Sequence, residues 1–249
     1  MVIREAIILA GGLGTRLRSA VPDLPKCMAP VNEKPFLTYV INHLQTEGIT
    51  HFIFSLGYKR EVITAFLEKD FPHLMFKTSV EEEPLGTGGA VKKACTIAKD
   101  KCLLVANGDT FFKIDAELLG GIHSLSGACC TLSLKPMRNF DRYGVVEIDE
   151  CSVIKSFKEK QFYESGLING GIYAIHKNKF LQENLPEKFS FEKDYLEKFY
   201  KIRRMFGVVQ DEYFIDIGIP EDYARAQEEL KNMEDKDCTD LKENADLKD

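Results

Sequence analysis

The chain has 249 residues, 44% of them hydrophobic, and a formal net charge of −6. That length suits one large domain or two small ones with an ample core, and an acidic balance without a dense basic patch argues against a nucleic-acid partner. No apolar run approaches the ~18 residues of a membrane span, and the opening Met-Val-Ile-Arg-Glu-Ala-Ile leads straight into a predicted strand. The expectation is a cytoplasmic protein with no signal peptide and no membrane partner.

The first predicted strand, 5–10, holds the apolar run Ala6-Ile-Ile-Leu9 and ends on Ala10-Gly-Gly-Leu-Gly-Thr-Arg16-Leu17. Gly11, Gly12 and Gly14 let backbone N–H groups approach a ligand closely. Arg16 and, after Pro25, Lys26 bring two cations to the same neighbourhood. Exposed amides with positive charge are what a polyphosphate requires. A dinucleotide fingerprint reads G-x-G-x-x-G with an acid about 20 residues on, yet no acid ends the second predicted strand, 51–56. The G-x-x-x-x-G-K-[ST] loop is also absent. For the glycines alone, an ordinary glycine-rich turn is the alternative.

Further strands are predicted at 74–79 and 101–107, with helices at 35–47, 59–70 and 86–98 between them. Pro35 opens the first helix, where its missing N–H is harmless, and Gly48 follows its end. The alternation predicts a largely parallel sheet covered by helices on both faces. Ligands in such sheets bind beyond the carboxyl ends of the strands. At that edge fall the glycine loop, Pro84-Leu85-Gly86-Thr87-Gly88-Gly89 and Asn107-Gly108-Asp109.

Three readings concern carboxylates. In Glu81-Glu82-Glu83, one acid facing a base is more sensible than three facing phosphates, because guanine offers N1–H and N2–H₂ as neighbouring donors. The others read as a solvated turn. Asp109, at the tip of a central strand, is placed either to hold a metal near a phosphate or to begin a turn. Asp216 interrupts the apolar run Tyr213-Phe-Ile-Asp216-Ile. A buried carboxylate needs a cation or donors, so Asp216 either shares Mg²⁺ with Asp109 or caps backbone amides around Gly218.

The second half is richer in strands, predicted at 128–135, 144–149, 153–158, 167–175 and 204–209, with helices at 190–201 and 220–231. It reads as a mixed-sheet lobe completing one domain, 1–231, whose halves meet near residue 125. The remainder, 232–249, is highly charged and is expected to be a frayed helix end and a disordered tail. Gly144 and the Gly170-Gly171 pair weaken a strand unless something must come close. Glu159 and Asn169 suit sugar hydroxyls and Lys160 a phosphate, although a bulge or a surface ion pair would account for any one of them. The seven cysteines form no C-x-x-C pair and do not cluster with the five histidines, so reduced thiols and no zinc site are expected.

With these residues in hand, the chain resembles the sugar-1-phosphate nucleotidyltransferases over about residues 3–231. Ala10-Gly-Gly-x-Gly-Thr-Arg16-Leu, with Lys26 and Pro30, carries the resemblance. Glu83-Pro-Leu-Gly-Thr-Gly-Gly89 resembles the branch acting on mannose-type sugars. Phe140-Asp-Arg-Tyr-Gly144, Ile168-Asn-Gly-Gly-Ile-Tyr173, Lys188-Phe-Ser-Phe-Glu192 and the segment 213–223 look closer still to its heptose 1-phosphate guanylyltransferases.

The resemblance implies an α/β, three-layer, Rossmann-like fold with a mixed, mostly parallel central sheet. It implies Mg²⁺ as cofactor, and GTP and a sugar 1-phosphate as substrates. Gly11, Gly12, Gly14 and Thr15 would wrap the phosphates, Arg16 would hold the β- and γ-phosphates, and Lys26 would bridge the α-phosphate and the sugar phosphate. Asp109 and Asp216 would ligate Mg²⁺. Leu9, Ala10, Gly86, Thr87, Asn107 and Gly108 would surround the nucleotide, with Glu81 at the base. Gly144, Glu159, Lys160, Asn169 and Gly170 would hold the sugar phosphate. Gln161 stands where many members have Pro after the Glu-Lys pair, which leaves that turn open. The rival readings are mannose 1-phosphate with GTP, another sugar phosphate with UTP, CTP or dTTP, and a catalytically silent paralogue. The presence of Arg16, Lys26, Asp109 and Asp216 together argues against silence, and a homo-oligomer is left open.

Overall fold

The computed structural model describes residues 2–12, Leu17 and 20–246, with side chains as far as Met233. The first half alternates as expected: β1 (Glu5–Leu9), α1 (Phe36–Thr46), β4 (His51–Leu56), α2 (Arg60–Asp70), β5 (Met75–Val80), α3 (Gly86–Ile97) and β6 (Cys102–Asn107). Between β1 and α1 lies a small hairpin of β2 (Pro30–Val31) and β3 (Lys34–Pro35). Pro35 therefore ends a strand and is the residue before α1 rather than its first helical residue. Gly48, at φ +84°, follows the end of α1 in the left-handed conformation that glycine adopts freely.

The second half contains β7 (Thr110–Phe112), α4 (Ala116–Ser126), β8 (Cys130–Phe140), β9 (Val146–Ile148), β10 (Ile154–Phe157), β11 (Tyr163–His176) and α5 (Lys177–Leu181). A π-helical turn (Phe191–Leu196) runs into α6 (Glu197–Phe199), followed by β12 (Met205–Val209), β13 (Phe214–Asp216) and α7 (Pro220–Asp246). The helix α4 is not among the elements predicted from sequence, because Gly120 and Gly121 interrupt its pattern. Its signal is nonetheless present in Asp115, whose Oδ1 accepts from the Leu118 amide at 2.7 Å as an N-cap. The last helix continues to Asp246 instead of stopping at 231, so the charged segment expected to be disordered is helical backbone over most of its length.

Seven strands form the central sheet in the order β12-β8-β11-β6-β1-β4-β5. All neighbours are parallel except β11, which is antiparallel to both β6 and β8. Each central strand is apolar on both sides and divides its residues between two cores, as period-2 alternation requires. Ala6, Ile8, Phe52, Phe54, Leu104 and Ala106 face one core, shared with Leu37 of α1, Ile63 of α2, Leu119 of α4 and Ala226 of α7. Ile7, Ile53, Leu103 and Val105 face the other, shared with Val91 of α3, Phe180 of α5, Phe191 and Tyr195. The result is a three-layer α/β domain with the sheet in the middle.

Candidate active site

The carboxyl ends of β1, β4 and β6 leave the sheet side by side, and a cavity of about 860 Å³ opens above them. Its size falls within the usual range for small-molecule sites. Leu9, Ala10, Gly11 and Gly12 line it from the β1 end, and Asn107 and Asp109 from the β6 end. Glu81 lines it from the connection between β5 and α3, and Gly86 and Thr87 from the first turn of α3. Gly108 does not line it; its amide donates to the Leu9 carbonyl at 2.9 Å and ties the two strand ends together. Gly14, Thr15 and Arg16 lie outside the described residues.

One end of the cavity is built around Lys26. Its Nζ lies 2.5 Å from Asp109 Oδ2 and 3.3 Å from Asp216 Oδ1. The antiparallel pairing of β7 with β13 makes this possible: Asp216 pairs with Thr110, directly after Asp109, and the Ile217 amide donates to the Asp109 carbonyl at 3.1 Å. A Cβ on Gly218 would fall 2.9 Å from Asp216 Oδ1 and 3.1 Å from Lys26 Nζ, so both side-chain ends would have to shift to admit one.

The electrostatics of this end follow from burial. Burial and the neighbouring Asp109 push the Asp216 carboxyl above its ordinary value, against the pull of Lys26 and Arg142. Burial alone would lower the Lys26 ammonium, but Asp109 and Asp216 outweigh it and hold it raised. Two carboxylates crowded onto one ammonium form a hard, all-oxygen donor set that suits a divalent cation. Among the described residues no third His, Cys, Asp or Glu joins them. The remaining ligands of such an ion would be phosphate oxygens and water, the usual arrangement for Mg²⁺. Cys27, also in the cavity, is fully buried, and burial together with Asp109 pushes its thiol up to about 12. It stays protonated near neutral pH and is no nucleophile.

Elsewhere the lining is acidic, with Glu61, Glu81 and Glu82. Glu81 Oε1 accepts from Ser55 Oγ at 3.0 Å and Oε2 from the Leu85 amide at 3.0 Å, so the carboxylate is strapped in one orientation. Each oxygen keeps a second lone-pair position. Glu82 is exposed and pairs with Arg60 at 2.9 Å on the cavity rim, while Glu83 is exposed. Gly86 has φ +71°, and a Cβ there would come within 2.5 Å of the Phe189 carbonyl.

Apart from Lys26, the residues expected around the sugar phosphate are not in this cavity's lining. Glu159 and Lys160 are exposed. At Gly144 the close approach is made by the Lys158 carbonyl, and at Gly170 by the Phe112 ring. A side chain at either position would therefore meet protein backbone or a ring. Asn169 sits one step behind the cavity, donating to Tyr173 Oη at 2.9 Å. The lining also holds residues that sequence analysis does not single out: Gly57, Tyr58 and Arg60, which directly follow β4. The strand-end rule that points to the β1 and β6 loops applies equally there. Glu192 lines the cavity too; in the sequence only its segment stands out.

Comparison with known proteins agrees with this architecture. A family model described as nucleotidyl transferase matches residues 5–233. The chain is 48% identical over 228 residues to D-glycero-α-D-manno-heptose 1-phosphate guanylyltransferase of Aneurinibacillus thermoaerophilus, covering 92% of this chain and 99% of the relative. It is 48% identical over 219 residues to the Campylobacter jejuni protein of the same name, covering 88% and 96%. The crystal structure of HddC from Yersinia pseudotuberculosis complexed with GMP-PN superposes with a TM-score of 0.82 at 38% identity, covering 92% of this chain and all of that one. On the strength of the strand-end cavity, the Lys26 cluster and these matches, the chain belongs to the nucleotidyl transferase family.

Proposed function

We propose that this chain transfers GMP from GTP to D-glycero-α-D-manno-heptose 1-phosphate, giving GDP-heptose and pyrophosphate. The observation that carries the phosphate chemistry is the convergence of Lys26, Asp109 and Asp216 at one end of the cavity. The choice of base and sugar is supported by the two relatives at 48% identity.

An oxygen of the sugar phosphate attacks the α-phosphorus in line. The bond from that phosphorus to the oxygen bridging the α- and β-phosphates breaks, and its electron pair leaves with pyrophosphate. No enzyme nucleophile is needed, so catalysis consists of positioning and charge neutralisation. Asp109 and Asp216 would hold Mg²⁺, which when bound neutralises phosphate charge and orients its oxygens. Lys26 bridges the α-phosphate and the attacking sugar phosphate, moving away from the two carboxylates as it does so. The Gly11 and Gly12 amides, with Gly14, Thr15 and Arg16, enclose the nucleotide phosphates. Glu81 reads the base, while Glu159, Lys160 and Asn169 belong to the sugar side.

The test is pyrophosphate release from four nucleoside triphosphates against a panel of sugar 1-phosphates. The highest kcat/KM is expected for GTP with the heptose 1-phosphate. Equal use of UTP or dTTP, or a preference for mannose 1-phosphate, overturns the assignment of base or sugar respectively.

A further inference from the structure

The segment Lys188-Phe-Ser-Phe-Glu192 stands out in the sequence without a role attached to it. In the fold it crosses the first turn of α3. The Gly88 amide donates to the Phe189 carbonyl at 3.0 Å, the Phe189 amide to the Leu85 carbonyl at 3.0 Å, and the Phe191 amide to Thr87 Oγ1 at 2.9 Å. The approach depends on small residues: a Cβ on Gly88 would enter the Phe189 ring, and one on Gly89 would strike the Glu187 carbonyl. Phe189 and Phe191 are buried in the core on this side of the sheet, and Glu192 between the two elements lines the cavity.

Every partner that the described residues give this carboxylate is a hydroxyl. Oε2 accepts from Thr87 Oγ1 at 3.0 Å and from Ser190 Oγ at 3.2 Å. Oε1 meets only Tyr173 Oη, at 3.4 Å. Tyr173 is itself 1% exposed and accepts from Asn169 Nδ2 at 2.9 Å. One oxygen is thus anchored and the other retains acceptor capacity in a cavity lining. A carboxylate without a cation repels phosphates, so the groups it suits are hydroxyls. Asn169, assigned to the sugar side in the reading above, lies behind it, donating to the same Tyr173 hydroxyl that meets Oε1.

We propose that Glu192 accepts a hydrogen bond from a ring hydroxyl of the sugar 1-phosphate and so selects the configuration of that carbon. This rests on the sugar-phosphate reading above. A hydroxyl turned to the other face, or removed, leaves a rigidly anchored acceptor unpaired. The Thr87–Glu192–Ser190 anchoring fixes Oε1 in advance, so the selection does not depend on reordering a flexible side chain.

The experiment compares kcat/KM of wild type and Glu192→Gln on the heptose 1-phosphate and its 2-, 3- and 4-deoxy analogues, with 2′-deoxy- and 3′-deoxy-GTP as a second series. Loss of the recognised hydroxyl should cost wild type about tenfold or more and the variant less than about threefold. The ribose series should show equal penalties in both enzymes. Penalties that are the same in wild type and variant at every sugar position overturn the proposal, because a merely structural Glu192 lowers all substrates alike. Coupling to a ribose hydroxyl instead overturns it in favour of nucleotide binding. Glu192→Asp, which keeps the charge but withdraws it by one methylene, gives the same readout if the Gln variant does not fold. Wild type that releases no pyrophosphate from GTP with any sugar phosphate would instead count against the guanylyltransferase reading itself.

Discussion

Asp216 illustrates what a single residue owes to its surroundings. Burial and Asp109 disfavour its charge and hold its carboxyl above the ordinary value, against the opposing pull of Lys26 and Arg142. Asp109→Asn or Asp216→Asn removes one of two charges from the proposed metal site, and turnover should fall by about 10²-fold or more while the melting temperature changes little. Pyrophosphate release assayed with and without excess chelator checks the same point: full activity in chelator would exclude the metal role. Glu81, also in the cavity lining, is held by Ser55 and the Leu85 amide. Glu81→Gln should reduce the preference for GTP over ATP and UTP by about tenfold, because the amide can accept only one of the two guanine donors. Retention of full GTP selectivity would move base reading to the backbone near Leu9 and Gly86. At this scale the residue types are plain in the sequence. That Lys26 sits between both carboxylates is not, since it depends on the antiparallel pairing of residues 110–112 with 214–216.

Among the elements, α3 is the one on which the site turns. Its first residue, Gly86, has a positive φ and faces the Phe189 carbonyl, so Gly86→Ala combines a strained backbone with a backbone clash. A cost of about 1–3 kcal/mol is expected, a melting temperature several degrees lower, and a raised KM for GTP. Gly121 provides the contrast. It lies in α4, and a methyl group added there would have nothing within 4 Å, so Gly121→Ala should stabilise the protein by about 0.5–1 kcal/mol. Thermal unfolding followed by circular dichroism measures both. The same glycines explain how much is legible in the sequence. Near strand ends they point correctly to the cavity, whereas Gly120 and Gly121 conceal a helix. Gly144 and Gly170, which in sequence suggest openings for a ligand, accommodate the Lys158 carbonyl and Phe112.

For the molecule as a whole, two histidines set an acid limit on stability. Burial lowers His43 to about 4, and burial with the nearby His176 and Lys179 lowers His123 to about 4. Both are neutral in the fold, whereas an unfolded chain protonates them near 6.5. Their contribution is therefore complete above pH 6.5 and is lost as pH falls towards 4, at about 1–3 kcal/mol for each. Urea unfolding at pH 7.5 and 5.0 should show the decline. His123→Asn, which can keep a hydrogen bond to Thr131 in place of the one now made by Nδ1, should flatten the pH dependence. An unchanged slope would assign the decline to other groups.

The sequence by itself determined the layer architecture of the first half, because period-2 apolar strands separated by amphipathic helices can bury both faces in one main way. It also determined the chemical inventory at the strand ends, since glycines, two cations and two isolated aspartates are visible without a fold. Tertiary structure decided which of these meet. The antiparallel entry of β11 beside β6, the β7–β13 pairing that delivers Asp216 to Asp109, and the crossing of residues 187–191 over α3 all join segments distant in the chain. Such long-range pairings depend on packing and register across the whole sheet rather than on local periodicity, and that is why the segment of Glu192 stands out in the sequence while its place in the cavity does not.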